Sequence, residues 1–284
     1  MEKWVLDRRL EQLSEEGVEF KTDVNIGEDL SARYLQKSFD VILITTGAGQ
    51  PRDINIPGRD LDGIHFAMEF LTKSNQFVDG MIGEDKLISA RGKNVLVLGG
   101  GDTGSDCIGT SNRHGAKSIH QFEIMPRPKD WHESWNPDWP YWPNILFTSS
   151  SQEEGCERDW GILTKSFQGG NGKIKSAEFV RIEWTSDNNG RAAFNEVPDS
   201  AFKLDVDLVL LATGFVHVEH NKLIMDLDLE LDERKNIKTD GNYKTSVDSV
   251  FTAGVALTGA SLVVRAFYHG RQAAKAVDKY LKGN

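Results

Sequence analysis

Apolar positions along the chain change their period repeatedly. Leu6, Leu10 and Leu13 in Trp4–Glu16 fall at helical spacing, and Gly17 supplies a stop. Val18–Val24 reads as a strand, Glu28–Lys37 as a short helix, and Asp40–Thr46 as an apolar strand ending at Gly47-Ala48-Gly49. A second unit opens near Gly92. It begins with a buried strand at Asn94–Leu98, a helix from about Thr103 to Arg113 and a strand at Ser118–Ile124. After an irregular stretch, Asn171-Gly172 and Asn189-Gly190 predict hairpins in a meander. Asp207–Ala212 is a further buried strand that stops at Thr213-Gly214, followed by a short strand at Ser249–Ala253 and a long helix from about Ser261 to Leu281. Helix and strand alternate throughout, which predicts an α/β protein.

Composition narrows the function classes. The 284 residues have room for about two domains. With 33 basic and 43 acidic residues the net charge is −10, and no Lys/Arg cluster appears, which argues against nucleic acid as the partner. No apolar run approaches the roughly 20 residues that span a bilayer, and Met1–Leu10 is charged and helix-like rather than a secretory signal. Cys107 and Cys156 are too few to ligate an iron–sulfur cluster and read as free thiols of a cytoplasmic protein.

The sharpest motif is Val95-Leu96-Val97-Leu98-Gly99-Gly100-Gly101-Asp102-Thr103-Gly104, a strand running through G-x-G-x-x-G into a helix. The first glycine permits the turn, the second lets backbone approach a pyrophosphate, and the third lets helix and sheet pack closely. Free N–H groups at the helix start then face the phosphates. The choice of nicotinamide cofactor stays open. Glu123, at the end of the next strand, suits the ribose 2′-hydroxyl of NAD, whereas Arg113, Lys117 and Arg127 suit the 2′-phosphate of NADP.

Two segments share the form apolar strand, Thr, Gly: Thr46-Gly47 and Thr213-Gly214 lie on either side of the glycine-loop unit. They bracket an insertion and predict 1–64 and 216–284 as one domain, with 65–215 as the other. Near the C-terminus, Gly254 ends a strand, and a helix beginning near Ser261, Leu262 and Val263 aims its N-terminus at whatever lies above that strand, such as a flavin ring. The segment with Trp131, Trp135, Trp139 and Trp142 reads as a rigid packed loop, with His132 and Glu133 as isolated polar candidates. Cys156, flanked mainly by acids, reads as structural.

Together these stretches resemble the small subunit of bacterial glutamate synthase and its relatives, including the reductase part of dihydropyrimidine dehydrogenase. The most specific pieces are Pro51–Arg59, Gly63–Leu71, Gly99–Asp106, Arg113–Ala116, Glu123–Pro128 and Glu153–Trp160. The resemblance implies two Rossmann-like domains, the NAD(P)-binding one inserted into an incomplete FAD-binding one. It implies electron transfer from NADPH to FAD and on through iron–sulfur clusters to a large subunit or other acceptor. No acid–base residue is implied, because hydride passes directly from nicotinamide to flavin. Gly99, Gly100, Gly101, Asp102, Thr103 and Gly104 would hold the pyrophosphate, Arg113 and Arg127 the 2′-phosphate, and Gly254, Ser261, Leu262 and Val263 the FAD.

Three departures qualify the resemblance. The family's Cys-rich domain and its FAD-binding G-x-G-x-x-G are absent, as if a third or more of a longer chain preceded Met1. The family's Gly-Asp reads Gly254-Val255, and its Glu-Gly-Arg reads His269-Gly270-Arg271. All three weaken the FAD site and none touches the glycine loop. The expectation is a chain that binds NADP(H), holds FAD weakly or not at all, and carries no cluster. Exposed sheet edges would be covered by rearrangement, a homodimer or a partner. The rival expectation is a non-catalytic NADP(H)-binding module.

Overall fold

The computed structural model describes residues 2–130, 145–186 and 192–283. The chain divides into two compact units, Pro51–Gly214 and the combination of Met1–Gln50 with Phe215–Asn284. The second crossing falls at Gly214/Phe215, directly after Thr213-Gly214. The first falls at Gln50/Pro51 rather than at 64/65. The reason is packing: Ile54, Ile56 and Leu61 lie against a core of the inner unit, and Phe167 N–H donates to the Pro57 carbonyl.

The inner unit is built on a five-stranded parallel sheet in the order Ile64–Phe66, Leu208–Leu211, Asn94–Leu98, Ser118–Glu123, Glu157–Trp160. The two-residue period of a strand turns Val95 and Val97 to one face and Leu96 and Leu98 to the other. The first face is covered by helices Ala67–Val78 and Asp102–Arg113, through Phe70, Cys107 and Ile108. The second packs on an antiparallel meander of strands Ile162–Gly170, Lys173–Ser186, Ala192–Glu196 and Phe202–Asp205. Buried on both faces, the central strands need continuous apolar sequence, which is why they were legible. The expected hairpin turn at Asn171-Gly172 joins the first two meander strands, with φ of 54° and 77° at its two residues. Strands 173–186 and 192–196 also pair antiparallel; their Asn189-Gly190 connection lies outside the described residues, as do the tryptophan-rich segment, His132 and Glu133.

The other unit is thinner. Its sheet is a single parallel pair, Ile42–Ile44 beside Val250–Thr252. Its core gathers Ala32, Ile44, Val218, Ile224, Ile237 and Val250. Helix Ala32–Ser38 is shorter than the expected 28–37 span, because Glu28 and Asp29 belong to a turn closed on Asn25. Val18–Val24 is not a strand. Alternation alone provides no ladder, and among the described residues no neighbouring strand offers this segment one. Helix Lys3–Glu15 forms where expected, but its apolar stripe is solvent-exposed, Leu6 at 49% and Leu10 at 48%. Helix Val263–Leu281 closes the unit with Leu262, Val263, Val264 and Phe267 exposed at its start. Among the described residues no helix is long and apolar enough to cross a membrane.

Candidate functional site

The glycine loop lies at the C-terminal end of Asn94–Leu98, in the middle of the parallel sheet, where open α/β sheets bind ligands. Each glycine has its own geometric reason. A Cβ at Gly99 would strike the Ala212 carbonyl oxygen, and one at Gly104 would strike the Gly99 carbonyl and the Gln121 amide. At Gly101 a Cβ would meet nothing within 4 Å. That open space is what a phosphate needs beside the backbone. Gly101 is also the N-cap of helix Asp102–Arg113, and no side chain caps that helix. The first-turn N–H groups of Asp102, Thr103 and Gly104 therefore lack the usual side-chain acceptor and favour an anion.

Glu123 does not project freely from its strand. One carboxylate oxygen accepts the Gly100 N–H at 2.5 Å and the other accepts the Met125 N–H at 3.0 Å. Behind the loop runs a buried amide chain that periodicity could not reveal. Gln121 Nε2 donates to the Gly99 carbonyl at 2.9 Å, and Gln152 Nε2 donates to Gln121 Oε1 at 2.8 Å. Gln152 completes a reciprocal cap with Ser149 at the start of helix Ser150–Glu153, and Ser149 bonds to Ser105.

Two cavities share the Gly100–Gly101 backbone, Glu123 and Met125 as common wall. One, of about 680 Å³, is rimmed by Arg127, Lys129, Arg158, Phe147 and Trp160. The other, of about 630 Å³, is more apolar, with Ile54, Ile56, Phe122 and Ile162 beside Thr213 and Gly214. Thr213 Oγ1 donates to the Arg52 carbonyl and Arg52 N–H donates to the Gly214 carbonyl, so this strand end is fixed.

The expected residues separate on this frame. Asp102 and Arg127 line the first cavity, Gly99, Thr213 and Gly214 the second, and Gly100, Gly101 and Glu123 stand between them. Arg113 does not join them. It sits at the C-terminal end of the helix, about 18 Å along the axis from Gly101 at the ordinary rise per residue, and pairs with Glu154 at 2.5 Å. Sequence proximity to the motif was misleading because the helix carries the chain away from its own N-terminus. Arg158, which the motifs did not single out, occupies the cavity instead. Burial lowers its pKa, the neighbouring Cys156 opposes this, and the Arg127 charge adds to the lowering. Cys156 is half-buried, and burial, rather than neighbouring acids, raises its thiol pKa. Cys107 is fully buried and pushed up to about 12 by burial and then Asp106.

In the thinner unit, Thr46-Gly47 and Gly254 follow the ends of two adjacent parallel strands, and Thr252 Oγ1 and Ala253 N–H both donate to the Ile44 carbonyl. Ser261, Leu262 and Val263 lead into helix Val263–Leu281 with exposed side chains. Gly47-Ala48-Gly49 runs into no helix, and Gly254, with φ of 70°, caps only the four-residue helix Val255–Thr258.

Comparison with known proteins agrees with this geometry. The family model of pyridine nucleotide-disulphide oxidoreductases matches residues 10–270. The glutamate synthase [NADPH] small chain of Mycobacterium tuberculosis is 44% identical over all of this chain and 58% of its own length. The Bacillus subtilis small chain is 36% identical, again over the whole chain and 59% of the relative. Glutamate synthase [NADH] of Schizosaccharomyces pombe is 40% identical over the whole chain and 14% of the relative. The chain thus spans about three fifths of the bacterial relatives. Among solved structures, Mycobacterium tuberculosis FprA in complex with NADPH superposes with a TM-score of 0.68 at 14% identity, covering 98% of this chain and 72% of that one. Its α/β architecture, its glycine-loop sheet and the extent of these matches agree: the chain belongs to the pyridine nucleotide-disulphide oxidoreductase family.

Proposed function

We propose that the inner unit binds NADPH and that the chain serves an oxidoreductase of the glutamate synthase small-chain type, carrying electrons from NADPH toward a flavin. The observation that carries this reading is the uncapped helix start at Gly101, set between a cavity rimmed by cations and a more apolar one. A dinucleotide extends both ways from its pyrophosphate. The cationic cavity suits the adenosine phosphate end, and the apolar one suits a nicotinamide ring against Thr213-Gly214. When bound, NADPH supplies a hydride. This chain's residues bind the phosphates, orient the ring and shield it from water; none is needed as acid or base.

The geometry favours NADPH over NADH. In the simplest dinucleotide site an acidic residue at the end of the second strand holds the ribose 2′-hydroxyl. Here both oxygens of Glu123 are engaged by backbone N–H groups, while Arg127 stands in the cavity wall. Gly99 through Gly104 form the pyrophosphate cradle in this reading. Thr46, Gly47, Gly254, Ser261, Leu262 and Val263 form the flavin-facing side, and Arg113 has no part in it.

Onward transfer to iron–sulfur clusters and a glutamate synthase large subunit is the corresponding proposal for partners; that the relatives are small chains of glutamate synthase supports a larger partner chain. A cytoplasmic setting follows from the same reading, as does a homodimer as one way of covering the exposed apolar start of the last helix. A second reading, a non-catalytic NADP(H)-binding module, is favoured by Val255, which stands where the resemblance implies an acid. Calorimetry with NADPH and NADH tests the site, and NADPH-dependent dye reduction with added FAD separates the readings. Flavin-dependent turnover supports the enzyme; tight NADPH binding without turnover supports the module; no binding of either nucleotide overturns both.

A further inference from the structure

We propose that Arg158, together with Arg127, selects the phosphorylated cofactor by meeting its 2′-phosphate beside Trp160; this rests on NADP(H) occupying the cationic cavity. Both guanidiniums approach the same indole, Arg127 Cζ at 5.8 Å and Arg158 Cζ at 5.0 Å from the ring centroid. Both line the cavity beside the glycine loop. Cation–π contact holds each planar group without consuming its N–H donors.

Their pairing differs. Arg127 has a carboxylate, Asp130, at 3.2 Å. Arg158 Nη1 donates only to neutral oxygens, the Phe147 carbonyl at 3.1 Å and Thr148 Oγ1 at 3.2 Å. Its Nε is buried without a partner, and among the described residues no carboxylate pairs with it. The acids in the same wall are otherwise placed: Glu123 is bound to Gly100 and Met125, and Asp102 stands in the first turn of the helix. Two cations beside one ring, one of them uncompensated, disfavour each other until an anion arrives. A phosphate monoester, carrying close to two negative charges, fits that need. The bare 2′-hydroxyl of NADH does not. The Phe147 and Thr148 bonds also fix the guanidinium before the ligand binds, which lowers the ordering cost.

The test measures affinities of NADPH, NADH, adenosine 2′,5′-bisphosphate and ADP for the intact chain, its Arg158→Gln variant and its Arg158→Lys variant. Loss of one charge-assisted contact should weaken NADPH and the bisphosphate about tenfold in Arg158→Gln and leave NADH and ADP within about twofold, with Arg158→Lys recovering part of the loss. Unchanged NADPH affinity, or a parallel fall for phosphorylated and unphosphorylated ligands, overturns the proposal. Should Arg158→Gln not fold, the unsubstituted chain decides: a preference for the bisphosphate over ADP that weakens in Arg158→Lys supports it, and no such preference overturns it. If the unsubstituted chain binds none of the four, the failure lies in the cofactor reading beneath.

Discussion

The Glu123 carboxylate accepts the backbone N–H of Gly100 at 2.5 Å, tying the end of one parallel strand to the turn that follows its neighbour. The same side chain closes a second bond to Met125 N–H. Glu123 thus shapes the loop. Glu123→Ala should lower stability by about 1.5–3 kcal/mol, the range for hydrogen bonds to a charged group, and should weaken NADPH and NADH alike. Glu123→Gln should be milder. Thermal unfolding alongside nucleotide titration checks this, and a loss confined to NADH would contradict it.

Gly101 and Gly104 should respond differently to the same added methyl. At Gly101 there is open space, so Gly101→Ala should fold with an unchanged melting temperature yet bind NADPH weakly, because the methyl occupies the phosphate position. At Gly104 the methyl meets the Gly99 carbonyl and the Gln121 amide, so Gly104→Ala should lose about 1–3 kcal/mol of stability through overpacking. Equal behaviour of the two variants would mean that the loop is not arranged as described.

Arg113 should be dispensable for the cofactor. Its partner is Glu154, at the far end of the helix from Gly101. Arg113→Gln should leave NADPH affinity unchanged, and an exposed pair of this kind contributes roughly 0–1 kcal/mol to stability. A selective loss of NADPH binding in this variant would return Arg113 to the site.

His114 should make the inner unit sensitive to mild acid. Its ring meets Ser74 Oγ at 3.1 Å and packs edge-on against Phe70. Burial lowers its pKa, and the charges of Arg113 and Arg91 lower it further. The folded state therefore favours the neutral ring. Its contribution is fully present above the unfolded-state value, about 6.5, and is lost as pH falls through the lower folded-state value. Denaturant midpoints measured from neutral to mildly acidic pH should fall for the natural chain and fall less for His114→Asn.

The inner unit was largely legible before folding was considered. Asn94–Leu98 and Leu208–Leu211 are buried on both faces, so their requirement for uninterrupted apolar side chains is local and readable. The glycine loop was readable for a related reason, since steric exclusion at Gly99 and Gly104 acts on backbone atoms a few residues away or on the next strand. Val18–Val24 failed as a strand because a ladder needs a neighbour, and residue type says nothing about whether one is present. The first border between units moved to Gln50/Pro51 because Ile54, Ile56 and Leu61 found their partners in the meander more than a hundred residues later in the chain.

By itself the order of residues determined the α/β alternation, the parallel strands and the cradle for a pyrophosphate, since each depends on contacts close in sequence or on the absence of a side chain. Only the tertiary structure decided which charges line the cavity beside the glycine loop. It turned the carboxylate of Glu123 onto backbone N–H groups, carried Arg113 to the far end of a helix and brought Arg158 to the ring of Trp160 beside Arg127. Long polar side chains take their direction from whatever packs around them, and that surrounding is assembled from segments distant along the chain.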